Sequence, residues 1–333
     1  MRRIGFVSIA FAAAVIAISG HRACAASPTP VPAASASAAA SAADYVRQGR
    51  ALIRAGKYDA AVETFSKAIA IDPNDVEAIA ARGDAKADLN DGKGALADYD
   101  QAIAIDPQYE YAYATRCDTR DIMDDEIGAV QDCSKAISLD PTDSFAWERR
   151  GRANYYLNDL KSAESDLSKA ISIDDSDSDA YADRCNTRRA AKNFEGASAD
   201  CAQALTLAPD RAFTLMVRGH LEVEEAEYAS AVTDLTKCLG KDAGETICLF
   251  FRGLAYLNLQ EWSMAKSDND SYLAKFPNDG DALYNRATAE KSLGDLKSAA
   301  ADAQAALTQY KIAGRVSDAA DAQKLLDSLH STH

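Results

Sequence analysis

Residues 58–73 read YDAAVETFSKAIAIDP, and this pattern returns every 34 residues along the chain. If residue 42 is taken as position 1 of the first copy, position 20 is alanine in all eight copies: Ala61, Ala95, Ala129, Ala163, Ala197, Ala231, Ala265 and Ala299. Position 32 is proline in five copies: Pro73, Pro107, Pro141, Pro209 and Pro277. A fixed internal period of this kind indicates a repeat architecture in which each copy is one supersecondary unit.

Each copy carries two apolar stripes at helical spacing. A turn near position 15 separates the stripes, as in RAGK at 54–57, and a second turn ends the copy, as in DPN at 72–74. The pattern therefore predicts a helix–turn–helix in every copy, with starts near residues 42, 76, 110, 144, 178, 212, 246 and 280. Residues 313–329 form one further amphipathic stretch.

This repeat resembles the tetratricopeptide repeat (TPR) family, and the resemblance covers residues 42–311. It implies an all-α fold, a right-handed superhelical solenoid of about eight helix–turn–helix repeats. We expect residues 312–333 to supply a C-terminal capping helix and a tail, because the last repeat of a solenoid needs a cover for its open face.

The composition of the whole chain narrows the function. The 333 residues include 36 basic and 51 acidic side chains, for a net charge of −15, which argues against binding to nucleic acid. There are only four histidines, and the sequence has no G-x-S-x-G, H-E-x-x-H or P-loop pattern. We therefore expect no enzymatic activity, no cofactor and no metal site.

The N-terminus has the features of a secretory signal peptide over residues 1–25. Arg2 and Arg3 precede an apolar run, and ACA at 23–25 is a small-residue cleavage motif. Two alternatives are a retained membrane anchor and a lipoprotein acylated at Cys24. The apolar run is short for a membrane span, so we expect no membrane insertion after cleavage.

Residues 26–41 are rich in alanine, serine and proline, which predicts a flexible linker between the signal peptide and the repeats. Together these segments predict a periplasmic or secreted bacterial protein.

Charged residues recur at two repeat positions in copies two to eight. Position 7 is arginine and position 23 is aspartate, whereas the first copy holds Gln48 and Thr64 there. Because both positions change together, we predict an ion pair inside each of copies two to eight: Arg82–Asp98, Arg116–Asp132, Arg150–Asp166, Arg184–Asp200, Arg218–Asp234, Arg252–Asp268 and Arg286–Asp302. Pairing to the following copy and an arginine row for anionic ligands are the alternatives.

Cysteines also occur in pairs at fixed positions. Positions 8 and 24 are both cysteine in copies three and five, and cysteine never occupies one of them alone. We predict three disulfides: Cys117–Cys133, Cys185–Cys201 and Cys238–Cys248. Metal binding and buried free thiols are the alternatives, but no CxxC or neighbouring histidine supports the first. Disulfides agree with export, since they persist in oxidising compartments.

The TPR resemblance implies that positions 2, 5, 9, 12 and 13 of each first helix line a groove. Copies two and three place carboxylates there, and later copies place aromatic and apolar residues. The candidate peptide groove is Phe145, Arg152, Tyr155, Tyr156, Phe213, Met216, Phe250, Leu254 and Leu257. The alternative is that these side chains pack against neighbouring helices.

Taken together, these features predict an exported scaffold or adaptor that binds an unidentified protein or peptide segment in a concave groove. One alternative is an accessory protein of envelope or polysaccharide assembly that docks on a membrane complex. A second, of another class, is a periplasmic ligand- or metal-binding protein.

Overall fold

The computed structural model describes residues 40–242 and 246–330, and within them it contains seventeen α-helices and no strand. These residues divide into two compact units between Asp175 and Ser176. The N-terminal unit contains α1 (Ala42–Arg54), α2 (Tyr58–Ile71), α3 (Val76–Asp88), α4 (Gly92–Ile105), α5 (Glu110–Ile122), α6 (Glu126–Leu139), α7 (Ser144–Tyr156) and α8 (Leu160–Ile173). The C-terminal unit contains α9 (Ser178–Ala190), α10 (Phe194–Leu207), α11 (Ala212–Glu224), α12 (Tyr228–Lys241), α13 (Thr246–Asn258), α14 (Trp262–Leu273), α15 (Gly280–Leu293), α16 (Leu296–Ile312) and α17 (Val316–His330).

Successive helices pack against one another as antiparallel pairs within each unit. Each odd-numbered helix, the first of its pair, also touches the next odd-numbered helix of the same unit, as α3 touches α5 and α5 touches α7. This arrangement of helix hairpins confirms the all-α repeat solenoid expected from the 34-residue period.

The turn inside each hairpin shows why the pattern breaks at position 15. After α3, the amide of Asn90 donates to the carbonyl of Ala87 at 2.8 Å, and the amide of Asp91 donates to that of Lys86 at 2.9 Å. These two bonds form a Schellman motif, which needs a left-handed residue. Position 15 is left-handed in every copy: Gly56, Asn90, Asp124, Asn158, Lys192, Ala226, Gln260 and Gly294. Asp91 then caps the next helix by accepting from the Gly94 amide at 2.9 Å.

The interior of each hairpin depends on close contact between its two helices. All eight alanines at position 20 are fully buried. Position 8 is glycine where position 24 is large, because a Cβ on Gly83 would lie 2.6 Å from the ring of Tyr99, and one on Gly151 would lie 2.7 Å from Leu167. The paired positions therefore share one volume between them.

The C-terminal stretch forms α17, which packs against α15 and α16 through buried Leu326 and Leu329. Helix α16 has 17 residues, whereas the other second helices have 14 or fewer. The predicted signal peptide, and the predicted linker up to residue 39, lie outside the described residues. Ser41, the last residue assigned to that linker, caps α1 by accepting from the Asp44 amide.

Candidate functional site

The arginines at position 7 each meet the aspartate at position 23 of their own copy. In the fourth copy, Arg150 donates from Nε and Nη2 to the two carboxylate oxygens of Asp166, both at 2.8 Å. The same intra-copy pairing holds for Arg82–Asp98, Arg116–Asp132, Arg184–Asp200, Arg218–Asp234, Arg252–Asp268 and Arg286–Asp302. The aspartates are 3–5% exposed in the copies from Asp98 to Asp268.

The remaining arginine nitrogen often reaches back to position 25 of the preceding copy. Nη1 of Arg150 donates to Oγ of Ser134 at 3.1 Å, and Nη1 of Arg286 donates to Asp270 at 2.9 Å. This link was not predicted from the sequence, although position 25 is polar in most copies. Because these guanidinium groups are engaged on both sides, they fix the register between neighbouring hairpins and are poorly placed to act as an anion-binding row.

The six cysteines of the described residues lie in three buried pairs. The S–S distances are 2.02 Å for Cys117–Cys133, 2.11 Å for Cys185–Cys201 and 2.13 Å for Cys238–Cys248. All six side chains are fully buried. The first two disulfides join positions 8 and 24, where other copies place glycine against a large side chain, so they staple the two helices of one hairpin.

The inner face of the N-terminal unit, formed by its odd-numbered helices, is polar in copies two and three. Asp84 accepts hydrogen bonds from the hydroxyls of Tyr99 at 2.9 Å and Tyr111 at 2.7 Å. Burial and the charge of Asp84 raise the pKa of both tyrosines well above the usual value, so the hydroxyls stay protonated as donors. At the end of this face, Arg50 pairs with Glu77 at 2.6 Å, and both side chains are exposed.

A buried charge network connects α5 to α7. Arg152 pairs with Asp121 at 2.5 Å and with Asp118 at 3.1 Å, and Arg149 lies 3.2 Å from Asp118. Burial raises the pKa of Asp121, while the charge of Arg152 counteracts that rise. Arg152, which the sequence analysis assigned to the groove, is thus also a structural link between the third and fourth copies.

Three further groove candidates lie on α7. Phe145 is half-buried beneath the guanidinium of Arg149, 4.8 Å from its ring centroid. The rings of Tyr155 and Tyr156 meet edge to face at 5.5 Å, and Tyr156 is 45% exposed. Tyr155 and Tyr156 therefore form a partly exposed aromatic cluster at the C-terminal end of α7, which follows the two arginines on the same helix.

The groove candidates of the C-terminal unit are much less exposed. Met216, Phe250 and Leu257 are 8%, 4% and 8% exposed, whereas Phe213 and Leu254 are half-buried. The Phe250 ring packs 5.3 Å from the ring of Phe251 and 5.3 Å from that of Tyr272. Met216, Phe250 and Leu257 are therefore packing residues of the interior and do not line an open groove.

A second buried polar group lies between α9 and α11. His220 stacks on Phe251 with ring centroids 3.7 Å apart, and its Nε2 lies 3.4 Å from Nη1 of Arg189. Arg189 lies 3.5 Å from Glu224, to which Lys192 also pairs at 3.0 Å. Burial, aided by the charges of Arg189 and Lys192, holds the pKa of His220 well below its usual value. His220 is therefore a neutral core residue.

Metal-binding clusters and membrane-spanning helices were sought within residues 40–242 and 246–330. These residues contain no group of three or more His, Cys, Asp or Glu side chains arranged to hold a metal ion. None of their helices is both long and apolar enough to cross a membrane.

Stacked helix hairpins of this kind define a class, the α-helical repeat proteins. Two sequence models match: one described as "TPR repeat" at residues 49–90, and one described as "Tetratricopeptide repeat" at residues 146–177. These matches, over two stretches of the repeat array, support a protein of the tetratricopeptide repeat family. No curated protein matches the sequence significantly.

Solved structures show the same fold at low sequence identity. The crystal structure of the APC/C hetero-tetramer Cut9–Hcn1 is 13% identical with a TM-score of 0.69, and the match covers 86% of this chain but only 55% of that one. A TPR protein from Parabacteroides merdae is 15% identical, with a TM-score of 0.57 and 74% and 98% of the two chains covered. The pilF protein of Pseudomonas aeruginosa is 16% identical, with a TM-score of 0.56 and 63% and 96% covered.

Proposed function

We propose that this protein is an exported scaffold that holds a segment of a partner protein on the inner face of its repeats, centred on the aromatic cluster of α7. The TPR fold suggests a protein–protein interaction scaffold, and such scaffolds are generally non-enzymatic. The proposal depends above all on the partial exposure of Tyr155 and Tyr156 at two adjacent groove positions. Tyrosine and arginine are enriched among residues that dominate binding energy, because they combine apolar area with polar contacts.

Neighbouring side chains support this choice of centre. Arg149 and Arg152 are held by carboxylates and by the ring of Phe145, so the surface around the tyrosines is rigid before any partner arrives. A preorganised surface loses less conformational entropy on binding. The buried positions of Met216, Phe250 and Leu257 make the C-terminal unit a weaker choice for the same role.

The groove proposal can be tested with two pairs of substitutions in the same unit. Tyr155→Ala plus Tyr156→Ala removes the aromatic cluster, and Ile71→Ala plus Ile105→Ala removes two exposed apolar side chains at the ends of second helices. Cells producing each variant would be cross-linked, and the attached proteins identified by mass spectrometry. We expect a partner lost from the tyrosine variant alone. If both variants and the wild type retain the same partners, the groove proposal is wrong.

Export is supported by the secretory features of residues 1–25 and by the three buried cystine pairs. Cell fractionation followed by intact-mass measurement with and without reductant tests it. We expect a mature chain that starts after residue 25 and gains the mass of six hydrogen atoms on reduction, one for each of the six cysteines remaining after cleavage. A full-length chain with seven free thiols would contradict the proposal.

A further inference from the structure

Three exposed apolar side chains occupy the same repeat position along one edge of the N-terminal unit. Leu89, Met123 and Leu157 are 38%, 40% and 43% exposed. They are the C-cap residues of α3, α5 and α7, at position 14 of copies two, three and four. We call these three residues the apolar edge. The inner-face residues of the proposed groove lie on the sides of the same helices, so the two surfaces use different residues and adjoin only at Tyr156 and Leu157.

The hairpin turn does not require an apolar residue at this position. Copies one, five and six form the same turn with Ala55, Ala191 and Glu225 at position 14. Copies seven and eight of the C-terminal unit have exposed leucines there, Leu259 and Leu293, so the N-terminal unit is distinguished by three such residues in consecutive copies. Met123 packs partly over Gly92, whereas the side chains of Leu89 and Leu157 remain 38% and 43% exposed to solvent. Exposed apolar side chains in register are more than solubility or turn geometry demands.

The surroundings of the apolar edge are acidic. The turn segments that follow these residues are 89–93 (LNDGK), 123–127 (MDDEI) and 157–161 (LNDLK). They contain five acids and two lysines, and Asp124 is fully on the surface. Anionic lipid would be repelled by such a rim, whereas a partner with lysine or arginine beside its apolar side chains would be attracted.

The spacing of the apolar edge distinguishes a helix from an extended strand. Packed helices lie about 8–10 Å apart, and α3, α5 and α7 touch in succession, so we expect neighbouring residues of the edge to be separated by a similar distance. Seven residues of an α-helix rise about 10.5 Å and return to the same face. Three residues of a strand span a similar distance but end on the opposite face. The spacing of the apolar edge is therefore matched by side chains seven residues apart on one face of a helix. Side chains on one face of an extended strand do not have this spacing.

We propose that the apolar edge binds a basic amphipathic helix of a partner protein, with apolar side chains at i, i+7 and i+14 and with lysine or arginine flanking them. The helix would lie across the ends of α3, α5 and α7, and its cations would face the acidic turns. This mode uses an apolar stripe as the anchor and charge for orientation, as other helix-recognition surfaces do.

A synthetic helical peptide of about 18 residues, the length that spans three such anchors, provides the probe. It would carry leucine at i, i+7 and i+14 and lysine on both flanks, and its binding to the full chain would be measured by fluorescence anisotropy. We expect saturable binding that weakens roughly tenfold or more in the variant Leu89→Gln, Met123→Gln, Leu157→Gln. The matched control Ile71→Gln plus Ile105→Gln, which changes similarly exposed residues at the other end of the hairpins, should bind as the wild type does.

Two further peptides and two further measurements complete the test. A peptide with glutamate in place of lysine, and a peptide of the same composition with leucines at every third residue, should bind far more weakly. Equal binding of all peptides, or unchanged binding by the triple variant, would overturn the proposal. So would sedimentation of the wild type as a dimer that the triple variant abolishes, since the edge would then bind a second copy. Flotation of the wild type but not the triple variant with anionic vesicles would instead indicate a lipid surface. Loss of peptide binding in the Tyr155→Ala plus Tyr156→Ala variant would place the peptide in the proposed groove rather than on the edge.

Discussion

The left-handed turn of the sixth copy predicts that Ala226→Gly stabilises the protein. Ala226 has φ of 64°, a conformation that costs an L-residue about 1–2 kcal/mol. Glycine removes that cost but loses about 0.5–1 kcal/mol through its freer unfolded chain. The side chain of Ala226 is exposed, so little packing is lost, and the turn hydrogen bond from the Glu227 amide to the Glu222 carbonyl at 2.7 Å does not involve it. The net expectation is a gain of about 0.5–1 kcal/mol in the free energy of unfolding.

Urea unfolding followed by circular dichroism would measure this gain, and hydrogen exchange would show whether it is confined to α11 and α12. The reverse change is available at the same position of the eighth copy, where Gly294 has φ of 86° and no atom lies within 4 Å of an added Cβ. Gly294→Ala should therefore lose about 1 kcal/mol. Asn90→Gly should change stability less, because asparagine tolerates the left-handed region. If Ala226→Gly is neutral or destabilising while Gly294→Ala behaves as expected, the strain argument fails for the sixth copy.

Three further predictions follow from paired positions. The double change Cys117→Gly and Cys133→Leu recreates the Gly151–Leu167 pairing. In reductant the wild type loses the disulfide, worth about 3 kcal/mol for a 16-residue loop, whereas the variant keeps a buried leucine worth about 1.5–3 kcal/mol, so the variant should unfold at higher urea than the reduced wild type. A lower midpoint would contradict the idea that the two positions share one volume. Asp166→Ala leaves Arg150 without its partner and should cost about 3 kcal/mol, whereas Arg150→Met plus Asp166→Leu should cost less, as a urea series would show; equal costs would argue that the pair contributes little. Burial, with the charge of Asp234, raises the pKa of Glu222 to about 7. The free energy of unfolding of the wild type should therefore fall as pH rises from about 4.5 through 7, and that of Glu222→Gln should fall less over the same window. Parallel profiles of unfolding free energy against pH would refute this.

The sequence determined the features that depend on two positions within one copy. Position 7 and position 23 change together, and so do positions 8 and 24, because their side chains touch inside a hairpin. Comparing the copies was therefore enough to identify those contacts. The helix pairs and the all-α repeat fold follow from the same internal comparison.

The exposure of groove residues depends on several hairpins at once and could not be predicted in this way. Phe250 and Leu254 both occupy groove positions of α13, yet Phe250 is buried by Phe251 and Tyr272 while Leu254 is only half-buried. The outcome depends on the volumes of side chains from α11, α13 and α14 together. The link from Arg150 to Ser134 escaped detection for a related reason, since it joins different copies and a serine signals little by itself.

Recognition in a protein of this kind is best sought where the copies differ. The interactions that maintain the fold, such as the Arg–Asp pairs and the buried alanines, are nearly identical from one copy to the next and therefore offer a partner no preferred site. Tyr155 and Tyr156 on the inner face are departures that folding does not require, because other copies fold with smaller or polar residues at those positions. The edge is a weaker case of the same kind: position 14 is also leucine in copies seven and eight, but it is alanine or glutamate in copies one, five and six. Both groups lie in the N-terminal unit and meet at α7, where Tyr156 is followed directly by Leu157. A partner that used both surfaces would gain the effective concentration of two linked sites. Substitutions at the tyrosines or at the edge should then weaken the binding of that partner by more than the edge variant weakens the binding of the synthetic peptide.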